Sequence, residues 1–283
     1  MKKFLVLSIA ALMLVSVFSA CSQKPEDSDS QSSEASESSS SAIASQPSYT
    51  ESEAAEINKG IADGDISFVQ FEGPDSGSET AVIKTSMGNI RVILYRELAP
   101  KAVENFVTHA ENGYYTGLSL NNVAKNFIIE GGAPDDNGGE SIFGDSANPY
   151  FENEYSLDLW NFRGAFGMSN VTGQNENGSQ FYIVQAPFVD AETIEAMEKA
   201  AFPQSVIDFY DDMGGVPGFD GNRTVFGMIY EEDMSIIDAI ARVPVDENGK
   251  PEKSIVIDSI TVTSGATEIE ADPDEDEDGE AES

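Results

Sequence analysis

A mainly β domain, a barrel with helices covering its open ends, follows from three observations. Short β-rich runs recur between residues 81 and 262, each set off by Gly or Asn clusters. Two principal helical patterns interrupt them, at 100–112 and 234–241, and the connections are long and glycine-rich. Many strands, few helices and Gly-rich turns fit a sheet closed on itself better than a layered α/β domain.

Ala81 to Thr85 and Asn89 to Tyr95, around Ser86-Met87-Gly88, read as a hairpin. Pro100 sits at a first helical position, where its missing N–H costs nothing, and Val103, Phe106, Val107 and Ala110 recur at helical spacing up to Asn112-Gly113. Gly164 to Ser169, Gln180 to Gln185 and Thr224 to Ile229 are further strands, and Ser254 to Val262 alternates as a closing one. Met234 to Ala241 is helical, and 191–213 is helical with Pro203 dividing it. Ile66 to Phe71 is either an extra strand or a sticky end of the preceding segment.

The flanks differ in kind. Lys2-Lys3, the apolar run Phe4 to Phe18 and small residues before the only cysteine, Cys21, form an export signal over 1–20, too short to span a bilayer comfortably. Phe18-Ser19-Ala20-Cys21 resembles the lipobox of bacterial lipoproteins, which implies cleavage before Cys21, a diacylglyceryl group on its sulfur and an extracytoplasmic, lipid-anchored protein. Residues 21–75, mostly Ser, Glu, Asp, Gln and Ala, are expected to be a disordered tether, and 266–283 an acidic disordered tail. The folded domain is then 76–265. Asp274-x-Asp276-x-Asp278-Gly279 copies the start of a calcium loop, but the chain ends before the bidentate Glu such a loop needs.

Composition excludes several functions. A net charge of -36 repels phosphate backbones, so nucleic acid is not a partner. His109, the only histidine, lies beside the apolar stripe of the first principal helix and reads as a solvated or half-buried helix residue rather than a catalytic base. A Cys pair, a His cluster and a His-Glu-x-x-His pattern are all missing, which leaves a metal site without ligands. Gly131-Gly132 and Gly138-Gly139 have neither phosphate-loop nor dinucleotide spacing, and Asn170, Asn177 and Asn222 are chance glycosylation triplets.

Five motifs in order resemble the cyclophilin family over roughly 80–263. Thr85 to Ile90 is similar to its opening hairpin, and Ala99 to Phe106 followed by Gly113-Tyr114-Tyr115 to its first helix and exit. Asn126-Phe127-Ile128-Ile129-Glu130-Gly131-Gly132 resembles the stretch around its pocket Phe, Asn177 to Ile183 its NGSQFFI strand, and Phe219 to Gly227 its LDGKHVVFG strand. The resemblance implies an eight-stranded closed barrel capped by two helices, a helical insertion near 189–217 as in some bacterial members, peptidyl-prolyl isomerase activity, no cofactor, and proline-containing peptide segments as partners of a monomer.

Carried over position by position, the family's apolar pocket falls on Phe127, Ile128 (for Met), Tyr182 (for Phe) and Phe219 (for Leu), with Ser169 for a backbone-contacting Ala and Gly218 for a Trp or His. For Tyr182 and Phe219, barrel core is the competing reading. The family's His-Arg pair is Asn121-Asn122 here, so the catalytic Arg position holds a short neutral amide, and losing one preorganised donor costs roughly 10² to 10³ in rate in other enzymes. Glu130 replaces the Gln that supports that Arg, and Arg223 replaces a His or aromatic. The catalytic candidates are Asn122, Glu130 and Arg223. Either Arg223 reaches into the pocket to pair with Glu130, or it is a surface cation and Glu130 is solvated. Three functions stay open: a working isomerase for exported proteins, a groove that binds prolyl peptides or holds unfolded chains without catalysis, and a barrel serving an unrelated contact.

Overall fold

The computed structural model describes residues 47–264 apart from 76, 135–137, 146–147 and 171–175. The strands are β1 (Glu79–Thr85), β2 (Gly88–Leu94), β3 (Ser119–Val123), β4 (Ile128–Gly131), β5 (Ala165–Asn170), β6 (Asn177–Val184), β7 (Val225–Ile229) and β8 (Ile255–Ser264). They close in the order β1-β2-β7-β5-β6-β4-β3-β8, every neighbouring pair antiparallel. The helices are α1 (Glu51–Asp63), α2 (Pro100–Glu111), α3 (Ala191–Lys199), α4 (Gln204–Met213) and α5 (Met234–Ile240). The expected eight-stranded barrel is present, with three helices beyond the two principal ones.

Alternation along each strand divides the residues between two sides. Ile90, Val92, Ile129, Phe166, Met168, Phe181, Ile183 and Phe226 fill the barrel. Helix α2 adds Val103, Phe106 and Ala110 to that core, and α5 adds Ile237 and Ile240. Phe106 packs against Phe166, Phe181 and Phe226 at centroid distances of 5.2, 6.1 and 5.6 Å. The alternate residues Ala165, Tyr182, Val184, Val225 and Ile128 belong to a second cluster outside the barrel.

The tether reading is corrected for residues 47–75. Thr50 caps α1 through a capping box: the Glu53 amide donates to Thr50 Oγ1 at 3.2 Å, and the Thr50 amide donates to Glu53 Oε2 at 2.8 Å. Gly64 ends the helix at φ 76°. The apolar residues Ala54, Ile57 and Ile61 are too sparse to register in composition, yet they form a single stripe that meets the insertion. Ile66 to Phe71 is not a strand; Val69–Phe71 is one 3₁₀ turn. Its Gln70 side chain grips Trp160 twice, donating to the carbonyl at 2.9 Å and accepting from the amide at 2.8 Å. Helices α3 and α4 share a third cluster with this segment, formed by Trp160, Phe162, Met197, Phe202, Val206, Ile207 and Tyr210. Cys21, the signal stretch and the acidic tail lie outside the described residues.

Candidate active site

Asn122, Ile128, Glu130, Ser169 and Tyr182 lie on four adjacent strands of the barrel, and Phe127, Gly218, Phe219 and Arg223 on the segments that connect strands. Asn122 on β3 pairs in register with Glu130 on β4, Glu130 with Tyr182 on β6, and Tyr182 with Gly167 on β5, giving one continuous row. A bulge between Leu120 and Asn122 makes the row possible. It lets Leu120 and Val123 both enter the core while Asn122 faces outward beside Glu130.

The polar half of the row is an acid held by two neutral donors. Asn122 Nδ2 donates to Glu130 Oε2 at 2.6 Å, and the Ser169 hydroxyl donates to Glu130 Oε1. Arg223 does not join them, and among the described residues no ion pair links it to Glu130. Its guanidinium carbon sits 4.2 Å from the centroid of the Phe219 ring and 5.8 Å from that of Tyr182. Its Nη1 is buried with no hydrogen-bond partner among the described residues. Neither arrangement expected from sequence occurs: Glu130 is bonded rather than solvated, and Arg223 lies on the aromatic wall rather than on Glu130.

The apolar half gathers Phe127, Ile128, Tyr182 and Phe219 into one cluster, with Gly218 buried in the turn Pro217–Phe219 alongside. Phe219 stands edge-on to Phe127 and to Tyr182, with centroids 5.4 Å apart in each case. Ile128 is 4 % exposed and Tyr182 0 %, so they are the floor; Phe127 and Phe219 are half-buried and form the surface that solvent reaches.

Tyr182 lies flat because Gly167 has no side chain: a Cβ there would stand 2.3 Å from the phenol ring. Its hydroxyl donates to Asn161 Oδ1 at 2.5 Å. Asn161 in turn donates its amide N–H and its Nδ2 to Asp220 Oδ1 at 3.0 and 2.8 Å, and Tyr210 on α4 donates to Asp220 Oδ2 at 2.7 Å. Burial pushes the Asp220 carboxyl up to about 7 despite those three donors. Burial likewise pushes the Tyr182 phenol up, the Arg223 charge opposing and the Asp220 and Glu130 charges adding to the rise. Asn161, Tyr210 and Asp220 are the participants sequence reasoning missed. The available signal was a polar residue isolated among aromatics in Trp160-Asn161-Phe162, and an acid directly after Phe219. His109 is half-buried against Tyr114, its ring centroid 4.3 Å away, with Nε2 bonded to the Glu140 carbonyl at 3.0 Å.

A closed eight-stranded barrel is the fold the sequence motifs implied, and the comparisons decide the family. The profile of cyclophilin type peptidyl-prolyl cis-trans isomerases matches residues 80–262. The chain belongs to the cyclophilin family. A Staphylococcus aureus (strain USA300) protein named as a peptidyl-prolyl cis-trans isomerase is 39% identical over 209 residues, 73% of this chain and 96% of that protein. A Staphylococcus epidermidis protein with the same name is 38% identical over 209 residues, with the same two coverages. Among solved structures, a cyclophilin type isomerase of Cryptosporidium parvum superposes with TM-score 0.52 at 26% identity, covering 67% of this chain and 99% of its own. The structure of that isomerase in the presence of the dipeptide Ala-Pro gives TM-score 0.51 at 27% identity. Cyclophilins rotate the peptide bond preceding proline, whose uncatalysed barrier is about 18–20 kcal/mol.

Proposed function

We propose that this cyclophilin isomerises prolyl bonds in exported proteins at the cell surface, held there as a monomer by lipid on Cys21, and that Arg223 supplies the cation that Asn122 does not. The observation that carries the reading is the pairing of an open aromatic edge, Phe127 and Phe219, with a half-buried guanidinium that lies on it, 4.2 Å from the Phe219 centroid, and makes no ion pair among the described residues. A pyrrolidine ring seated on that edge is desolvated on its apolar side, above the floor of Ile128 and Tyr182. Rotation removes amide conjugation and makes the prolyl nitrogen more basic. A donor fixed in place then stabilises the twisted state more than the planar one, which is the requirement for catalysis. Asn122 and Ser169 keep the Glu130 carboxylate turned to themselves, so it neither neutralises Arg223 nor competes with it for the bond. The exported location is supported by Lys2-Lys3, the apolar run up to Phe18 and Ser19-Ala20-Cys21.

One observation favours a second reading, a groove that binds prolyl segments without turning them over: the Asn122 amide, at the family's catalytic position, is spent on Glu130 at 2.6 Å. Acceleration of a proline-limited refolding reaction separates the two. Under the isomerase reading the wild type accelerates it, and Arg223→Ala loses roughly 10² to 10³ of the effect, the cost of one preorganised donor. Asn122→Arg, which adds a guanidinium beside Glu130, raises activity. A wild type that binds a prolyl peptide but leaves refolding unchanged, with activity appearing only in Asn122→Arg, establishes the binding module instead.

A further inference from the structure

The largest departure from a bare barrel is the helical layer built by α1, α3 and α4, and it carries a groove that the prolyl site does not use. The groove has a volume of about 320 Å³ and is lined by Ile61 of α1 and by Ser205, Asp208, Phe209, Asp212 and Met213 of α4. The two helices are fixed to one another at its side, where the Ser205 amide donates to Asn58 Oδ1 at 3.0 Å. Phe209 is braced from beneath by Phe68 and Phe162 at centroid distances of 4.4 and 5.7 Å. Phe71 stacks on it at 5.4 Å. The aromatic floor is therefore rigid, yet it is not covered: Phe71 is 37% exposed and Met213 39%.

Helical spacing arranges the lining of α4 as two adjacent rows. Phe209 and Met213 stand four residues apart on one line, and Asp208 and Asp212 four apart on the next. Both aspartates are exposed; Asp208 accepts one bond from Gln204 Nε2 at 2.8 Å and still faces solvent. An apolar trough bordered by a line of negative charge, on a chain of net charge -36, complements one chemistry: a large apolar side chain flanked by Lys or Arg. We infer that this groove holds such a basic, apolar segment of an unfolded client polypeptide while the prolyl site works on another part of the same chain.

Other occupants fit the charge less well. The chain's own segments 22–46 and 265–283 carry one Lys against five acids and ten acids against no base, so the rim repels them. Residues 1–20 have the right chemistry but are the stretch read as removed on export. A second copy docked through the same face would set acidic rim against acidic rim. Anionic lipid would meet the same repulsion.

The inference rests on the isomerase reading only for the nature of the client, and its test uses no proline. The probe is a fluorescein-labelled peptide of about twelve residues with a central Leu-Phe between lysines. Its binding to the full chain is followed by anisotropy beside a counterpart with glutamates for the lysines. Expected are saturable binding of the basic peptide, loss of at least tenfold in affinity for the acidic one, and a similar loss in Asp208→Asn/Asp212→Asn and in Met213→Ser. All three positions are exposed, so each variant is expected to keep the wild-type unfolding transition. In the same variants, isomerisation of a prolyl tetrapeptide stays at the wild-type level, while acceleration of refolding of a basic protein client falls. Equal affinity for both peptides, or unchanged affinity in the variants, overturns the inference. Binding of phosphatidylglycerol vesicles in preference to the peptide reassigns the groove to membrane and overturns it too. Intact peptide binding in a chain without isomerase activity would strike the proposed function and leave the groove standing.

Discussion

Replacing Asp220 by Asn isolates the energetic cost of the buried acid under the prolyl site. The folded carboxyl sits at about 7 and the free one at 3.8, and each unit of separation is worth 1.36 kcal/mol, so burying the ionised form costs about 4 kcal/mol. Because the folded value is the higher, the folded chain binds the proton more tightly. The stabilisation from this group is complete below about pH 3.8, is lost as pH rises through about 7, and is constant beyond. Carboxylates held low run the other way: Glu53, Asp75, Glu152, Glu195 and Asp238 all lose stabilisation as pH falls, so the wild-type profile alone does not identify Asp220. The variant removes the ambiguity. Its side-chain amide can keep an oxygen for both Asn161 donors and turn its NH₂ toward Tyr210, whose hydroxyl can accept as well as donate. Packing differences between Asp and Asn do not titrate and cancel between two pH values. Urea unfolding at pH 5 and pH 8 should therefore show Asp220→Asn gaining about 2.5 kcal/mol on the wild type over that interval. Parallel curves, with a constant difference between the two proteins, would mean that Asp220 is ordinary in its titration and that the buried chain of bonds has been misread.

Two further changes test the support and the anchor. Gly167→Ala places a methyl group against the Tyr182 ring, 2.3 Å from its nearest atoms, and with the phenol tied to Asn161 the ring has to move; the expected loss is roughly 1–3 kcal/mol in urea unfolding, and a neutral result would show that the ring is free to shift. Cys21→Ser should abolish incorporation of labelled palmitate and move the protein from the membrane pellet to the soluble exported fraction, whereas an unchanged distribution would remove the lipid anchor from the proposal.

What the sequence made legible was whatever repeats or alternates. Six of the eight strands, all but β3 and β4, together with Pro100 at the head of α2, the break at Pro203 and the ordered motifs from Thr85 to Gly227, carry local signals, and each has its counterpart in the structure. Helix α1 was hidden because three alanines and two isoleucines in thirteen do not lift a Ser- and Glu-rich segment above a tether in composition; its stability comes from docking on α4, a contact nearly 150 residues away in the chain. The 3₁₀ turn Val69–Phe71 was hidden for a related reason, since the Gln70 partner that fixes it is the backbone of Trp160. At the site, residue identities were readable and pairings were not. Arg223 has the reach to meet Glu130, but Asn122 and Ser169 are closer claimants on that carboxylate, and two aromatic faces offer the guanidinium a place to lie.

The missed residues also explain why the insertion and the prolyl site belong together. A tyrosine at 182 brings a buried hydroxyl that needs an acceptor, and Asn161 can offer its oxygen only if its amide is turned that way. Asp220 enforces that orientation by accepting the Nδ2 of Asn161, so an acid must be buried next to an aromatic pocket. Tyr210 supplies a further bond to that acid, and Tyr210 exists only because α4 is inserted, itself held by α1. The helical layer is thus the support that lets a polar ring form the floor of an apolar seat, since it reaches the Tyr182 hydroxyl through Tyr210, Asp220 and Asn161.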